Sequence, residues 1–551
     1  MSADDYNPGE VLDLSTVMGR RLYNSQAAIS MLHEDILSRV FLVNSHMDFH
    51  HPHCPSQTSR RTAQVFHKWR VFSLSFPMMW ATSLDFADPL AWVYEAVRRA
   101  GPVPLNIIFP PFPISLPNIV NIDQLTPQFY IHHVQSMMKM QNATDSSSKL
   151  AVALSLVPRS HTFIAKIHPS SWEYLLKNLC RSPMLSLHTL SLGIEKGESD
   201  AQFTLPTTLF NDYTPHLKNL TLYGCIADIS SPIFRTLTTL SISQPGFQSA
   251  LAPARWLEVL SALRELEYLM LTYAFLDFSN IDWDIPDHPI FDMDTTLPVV
   301  ELTRLKYLKL VGDLEPCTQL FINLRLPPSC GMDIECHSSR ANDVYRDMTF
   351  NLQRQLGARE DGGRNLVESI RLSTNRSKLG FKNKSPGLEG DETLSLYWFP
   401  SFSTHADGLS LFLPAFSSII SIISPGVVDM EPDFQGYNPL TDSQIIQVFL
   451  PFTNLQSLYI RENRTLDRLL LVFNNYDERH ESVLLPALRL LSLEYLFFGN
   501  QPVNPRYSDL LHFLRRRSET GFPISTIKLR QCGGFLEADV KQLGISIDWG
   551  A

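Results

Sequence analysis

Leu187-His188-Thr189-Leu190-Ser191-Leu192 sets the pattern from which the fold is read: a leucine, two residues, a leucine, one residue and another apolar side chain. The same wording returns as Leu217-Lys218-Asn219-Leu220-Thr221-Leu222, Leu237-Thr238-Thr239-Leu240-Ser241-Ile242, Leu266-Glu267-Tyr268-Leu269-Met270-Leu271 and Leu305-Lys306-Tyr307-Leu308-Lys309-Leu310. After a gap it comes back as Leu455-Gln456-Ser457-Leu458-Tyr459-Ile460, Leu488-Arg489-Leu490-Leu491-Ser492-Leu493 and Ile524-Ser525-Thr526-Ile527-Lys528-Leu529. The last two apolar positions stand two residues apart, so along a strand both point to one face, while the first leucine sits on the turn leading in.

The first four copies are separated by roughly 20 to 30 residues, the period of leucine-rich repeats, in which each strand buries its leucines only against its neighbours. Helical segments at Ala254–Leu263 and Asp509–Arg517 alternate with the strands. Cys225 and Cys532 each follow a repeat strand, where a small polar group bonds the turn backbone, so both are read as structural. Upstream, strand candidates at Thr82–Phe86 and Pro104–Phe109 flank a helix at Pro89–Gly101 and make a parallel crossover unit that starts the array.

Two stretches break the period. Pro110 to Ser148 is proline-rich and then polar; its helical patch, Gln128 to Met140, carries methionines that fill gaps in packing, and Thr144-Asp145-Ser146-Ser147-Ser148 reads as a loop. Between Arg340 and Pro400 no repeat fits, although Cys330 to Cys336 just before it reads as a strand and Asp361-Gly362-Gly363-Arg364 as a turn. The basic run Arg371 to Lys384 holds no acidic residue and is read as a solvated strand face and loop, with nuclear import or phosphate binding as the alternative.

The amino-terminal part has a different pattern. Residues 1–31 read as a tail, disordered at first and weakly helical from Val11 toward Met31. Leu32-His33-Glu34-Asp35-Ile36-Leu37-Ser38-Arg39-Val40-Phe41 then sets Leu32, Ile36, Leu37, Val40 and Phe41 at helical spacing on one face. A polar insert at 44–61 leads to a second helical run, Thr62 to Ser75, with Val65, Trp69 and Phe72 on one stripe, Pro77 ending it and Trp80 closing the unit. At Leu32, Glu34 or Asp35, Ile36, Leu37, Val40, Phe41, Val65, Trp69, Arg70, Pro77 and Trp80 this arrangement resembles the F-box, in particular the F-box-like domains of mushroom-forming fungi. It departs from the family at His33, where proline is usual, at Phe66, where cysteine is usual, and in the length of the insert. The carboxy-terminal stretch resembles the same family: Glu519-Thr520-Gly521-Phe522-Pro523-Ile524 after an Arg-rich helix, a strand to Cys532, a helix around Ala538 to Leu543, and Ile545 to Gly550 with Trp549 as a cap.

The expected fold is therefore α/β. A short all-α F-box-like module at 32–81 is followed over 82–551 by an irregular leucine-rich-repeat solenoid, a horseshoe with parallel strands and irregular insertions at 110–148 and 340–400. The resemblance implies a non-catalytic substrate-recognition adaptor of an SCF-type cullin–RING ubiquitin ligase. Leu32, Ile36, Leu37, Val40, Phe41, Trp69 and Trp80 would dock on the Skp-family subunit, and the repeats would hold a target protein. The alternative is a leucine-rich-repeat interaction scaffold with no ligase attached.

Composition narrows the partners. The 551 residues are 44% hydrophobic, with a formal net charge of −10 and a pI near 5.9, which argues against nucleic acid or an anionic membrane, since both need a basic footprint. Seven scattered cysteines without CxxC spacing point to a reducing compartment, and no signal-peptide core or run of about 18 apolar residues is found, so an intracellular protein, cytoplasmic or nuclear, is expected. His46-Met47-Asp48-Phe49-His50-His51-Pro52-His53-Cys54 has ligand types for zinc or copper but reads as a tolerant loop, and Asp282, Asp284 and Asp287 read as an exposed acidic loop. No phosphate-cradling glycine loop, Gly-x-Ser-x-Gly elbow or His-Glu-x-x-His helix occurs, so no catalytic residue, cofactor or metal is expected.

Overall fold

The computed structural model describes residues 16–26, 32–50, 61, 64, 67–82, 84–109, 143–181, 183–194, 203–228, 230–245, 250–275, 297–327, 330–337, 347–348, 350–351, 354, 369–373, 379–384, 392–399, 429–433, 441–479, 483–498 and 505–549. It is mixed α/β and divides into two compact units, residues 1–237 and 238–551.

In the first unit α1 (Val17–Gln26), α2 (Glu34–His50), α3 (His67–Ser75) and α4 (Pro77–Thr82) come first. Glu34 and Asp35 occupy the first turn of α2, where carboxylates complement the unpaired N–H groups. The helix runs on to His50, past the expected start of the insert at 44, because nothing before Pro52 removes a backbone donor. Pro77 opens α4, a position where its missing N–H costs nothing.

Next come β1 (Leu84–Asp85), α5 (Leu90–Ala100), β2 (Leu105–Phe109), α6 (Ala143–Leu156), β3 (Ser160–Ile167), α7 (Trp172–Leu179), β4 (Thr189–Ile194) and β5 (Asn219–Tyr223). Each strand pairs in parallel with the next. One rung runs through Leu84, Ile107, Phe163, Leu190 and Leu220, all essentially inaccessible to water. Successive strands therefore bury one shared ladder, as the sequence spacing requires. Thr144 to Ser148, expected as a loop, lie instead in the first turns of α6: short polar side chains suit a helix start, and the apolar run Leu150-Ala151-Val152-Ala153-Leu154 carries the helix onward. The helical patch expected at 128–140 lies outside the described residues.

At the starts of β3 and β4 the rings of His161 and His188 are stacked, with centroids 5.1 Å apart and planes 5° from parallel. Burial and the neighbouring His188 hold His161 below the ordinary histidine value, and burial, Lys218 and His216 do the same to His188. Because the unfolded chain keeps the ordinary value of 6.5, it takes up these protons first as pH falls; the stability tied to the neutral pair is complete above that value and is lost on acidification through the lowered ones. The urea midpoint of the wild type should fall between about pH 7 and about pH 5 more steeply than that of His188→Gln. Equal slopes would remove this ring pair from the acid response.

The second unit contains β6 (Thr239–Ser243), α8 (Pro253–Ser261), β7 (Tyr268–Thr272), β8 (Tyr307–Asp313), α9 (Leu314–Ile322) and β9 (Gly331–His337). Strands β10 (Ser369–Ser373), β11 (Leu379–Lys384), β12 (Glu392–Phe399) and β13 (Asp429–Asp433) follow. The last elements are α10 (Asp442–Phe449), β14 (Ser457–Ile460), α11 (Asn463–Arg479), β15 (Leu490–Glu494), α12 (Pro505–Glu519), β16 (Thr526–Arg530), α13 (Glu537–Lys541) and β17 (Ser546–Trp549). From β6 through β9 the strands are parallel neighbours in chain order, with Leu240, Leu269, Leu308 and Met332 on one rung; from β13 to β17 they are so again, with Met430, Leu458, Leu491, Ile527 and Ile547 on another.

The stretch at 340–400, expected as an irregular insertion, supplies strands to this sheet. β9 pairs in parallel with β12, β12 antiparallel with β11, β11 antiparallel with β10, and β10 in parallel with β13. The chain thus lays these three strands down in reverse order. The cause is in the sequence: Ile370 and Leu372, Leu379 and Phe381, Leu394, Leu396 and Trp398 alternate strictly, and the connections between them are too short for crossover helices. The turn expected at Asp361–Arg364 and the side chains of the basic run Arg371–Lys384 lie outside the described residues.

A recurring backbone device was not read from the sequence. Two residues after the final apolar position of five repeats stand Gly224, Gln244, Tyr273, Tyr495 and Gln531, with φ of 69°, 48°, 50°, 57° and 52°. This left-handed residue turns the chain out of the strand. Only Gly224 has a steric reason to be glycine, since a Cβ there would stand 3.2 Å from the Ile194 carbonyl oxygen. One position further on, Cys225 Sγ donates to the Leu192 carbonyl and Cys532 Sγ to the Leu493 carbonyl, each the last apolar residue of the preceding repeat. Burial pushes the Cys225 thiol up to about 12, and raises Cys532 as well, consistent with structural thiols.

Candidate docking surface

The apolar residues of α2 divide into two stripes because each residue advances about 100° around a helix. Leu37 and Phe41, one turn apart, face inward and are 0% and 1% exposed. Phe41 meets Trp69 edge-on at 5.0 Å and Phe72 at 5.7 Å, which anchors α2 to α3. Trp80 is equally buried: its indole N–H donates to the Ser73 carbonyl at 2.7 Å, its ring meets Trp92 of α5 at 5.6 Å, and the Arg99 guanidinium lies over it at 4.9 Å.

The other stripe faces water. Ile36, Val40 and Val43 are 48%, 39% and 61% exposed, and Leu32, just before the helix, is half-buried. Val71 of α3 and Met78 of α4 are also exposed. Apolar side chains repeated at helical spacing on a solvent face gain nothing for the isolated fold, and such patches mark interaction surfaces.

The seven residues expected to grip an adaptor are therefore of three kinds. Ile36 and Val40 are available to a partner, Leu37, Phe41 and Trp80 build the module, and Leu32 and Trp69 are half-buried. Val43 extends the stripe of Ile36 and Val40 by one turn; the insert expected from 44 begins at the next residue, where the helix in fact continues. Val65 and Phe66 lie outside the described residues, as do the side chains of the His46–Cys54 cluster and the whole of Asp282–Asp287.

Among the described residues no group of three or more His, Cys, Asp or Glu could hold a metal ion, and no helix is long and apolar enough to cross a membrane. No protein-family model matches the chain, and no curated protein is similar to it in sequence.

Proposed function

We propose that the chain is a non-catalytic adaptor: its amino-terminal helices bind the Skp-family subunit of an SCF-type cullin–RING ubiquitin ligase, and a leucine-rich-repeat solenoid presents a target protein. The observation that carries this reading is the exposed stripe Ile36, Val40 and Val43 on the helix whose wording resembles the F-box. The parallel strands with a buried leucine ladder in each unit support the repeat half of it. In this role the protein contributes proximity, holding a target lysine near a charged conjugating enzyme while the bond is made elsewhere.

A rival reading, a repeat scaffold whose helices only cap the sheet, draws on the contact between Trp80 and Trp92. Ile36→Asp with Val40→Asp separates the two. Both positions are exposed, so the fold should persist while co-purification with a Skp-type subunit falls by at least about a hundredfold, the effect of placing two charges in an apolar interface. Unchanged co-purification, or none in the wild type, would leave only the scaffold.

A further inference from the structure

The strand starts of the first unit carry a basic ladder. His161, His188 and Lys218 each precede the first rung residue of their strand, Thr162, Thr189 and Asn219, which are register partners. Backbone bonds tie the three together: the His188 N–H donates to the His161 carbonyl at 2.8 Å and the Lys218 N–H to the His188 carbonyl at 2.9 Å. His216 lies two residues before Lys218.

Two features set this ladder apart from scattered surface charge. The pairing of β2 with β3 advances from Leu105 opposite Ser160 to Asn106 opposite Thr162, so His161 is the extra residue of a bulge, a distortion that re-aims a side chain. Its ring then stacks almost flat on His188, which two cationic rings left alone would resist. The Asn219 amide nitrogen lies 3.4 Å from His188 Nδ1 and 3.0 Å from Thr189 Oγ1; an amide N–H can only donate, so the neutral His188 ring accepts at Nδ1 and carries its proton on Nε2.

We propose that His161, His188, His216 and Lys218 form a binding site for a phosphate group. A phosphate monoester brings three acceptor oxygens and a charge that itself rises with a pKa near 6, matching donors spread over adjacent strands better than a carboxylate with two oxygens. Charge supports the assignment. The charge of His188 acts on His161, and those of Lys218 and His216 act on His188; Arg159, in the turn before β3, donates to the carbonyls of Gly101 and Val103. An arriving dianion relieves this mutual repulsion and stabilises the protonated rings, so binding takes up protons and is tighter in mild acid. The site is independent of the docking helices and stands whether or not they hold an adaptor.

The test is calorimetric titration of inorganic phosphate, and separately of a phosphoserine peptide and of succinate, into the full chain at about pH 6 and about pH 8. Expected are saturable phosphate binding that weakens about tenfold or more at the higher pH, an upward move of the His188 titration followed by NMR when phosphate is present, and a loss of about tenfold or more in Lys218→Gln and in His161→Gln with His188→Gln. A peptide that binds more tightly than free phosphate identifies a phosphorylated side chain as the source; equal affinity identifies the free ion. If the double variant fails to fold, the NMR shift in the wild type and the single variant Lys218→Gln decide. No saturable binding, succinate binding as well as phosphate, or variants that bind like the wild type would overturn the site.

Discussion

Arg517→Ala should lower the free energy of unfolding by about 4 kcal/mol, the largest effect expected of any single charged residue among the described residues of the second unit. Its guanidinium is 1% exposed near the end of α12. Nη1 donates to the Leu484 carbonyl at 2.9 Å, Nη2 to Leu485 at 2.9 Å and Leu488 at 3.4 Å, and Nε to Phe522 at 3.1 Å. The first three acceptors lie in the turn that leads into β15, where Leu485 is held at a φ of 56°, and the fourth leads toward β16. One side chain thus fixes the turns before two adjacent repeat strands. Alanine would strand these carbonyls away from water, at about 1–3 kcal/mol for each that finds no other donor. Lysine keeps the charge but not the planar fork, so Arg517→Lys should recover about half the loss. Arg515→Ala, on the exposed side of the same helix, should shift stability by no more than about 0.5 kcal/mol. Urea unfolding followed by circular dichroism measures all three, and equal midpoints for the alanine variants at 515 and 517 would contradict the role.

That contrast shows where sequence reading stops. Arg515, Arg516 and Arg517 are identical in type, and only the placement of α12 decides which one enters the core. Ile36 and Leu37 pose the same difficulty: both belong to the apolar arc of α2, and the packing of α3 and α4 turns Leu37 in and leaves Ile36 out. The strands were legible because a period of two, closed by a leucine at a fixed distance, has one simple structural reading. Every quoted repeat, from Leu187 to Leu529, lies on a strand whose leading leucine or isoleucine is buried. The order β12, β11, β10 was not legible, since alternation identifies strands without naming their partners. Nor was the left-handed turn residue, because Gln244, Tyr273, Tyr495 and Gln531 occupy it without the glycine that usually announces it.

The leucine ladder makes a second large prediction, and one that separates a shared core from strands that merely lie side by side. Leu308 of β8 stands on a rung between Leu269 of β7 and Met332 of β9, and none of the three is accessible to water. Leu308→Ala should cost about 3 kcal/mol, the lost transfer energy of the side chain plus that of a cavity its neighbours only partly close. The next residue, Lys309, points the other way and pairs with Asp333 at 2.6 Å while a third exposed, so Lys309→Ala should cost about 1 kcal/mol or less. The decisive measurement is the double-mutant cycle. Leu269→Ala and Leu308→Ala enlarge one cavity and should couple by about 0.5 kcal/mol or more, whereas Leu308→Ala and Leu491→Ala, on rungs with no strand partner in common, should add within about 0.5 kcal/mol. Coupling between the near pair with additivity between the far pair is what a core assembled from nearest-neighbour contacts requires, because each strand then senses a vacancy only in the strand beside it. Additivity in both pairs would mean that adjacent strands do not support one another, and the repeated leucines would then lose their physical reason for recurring.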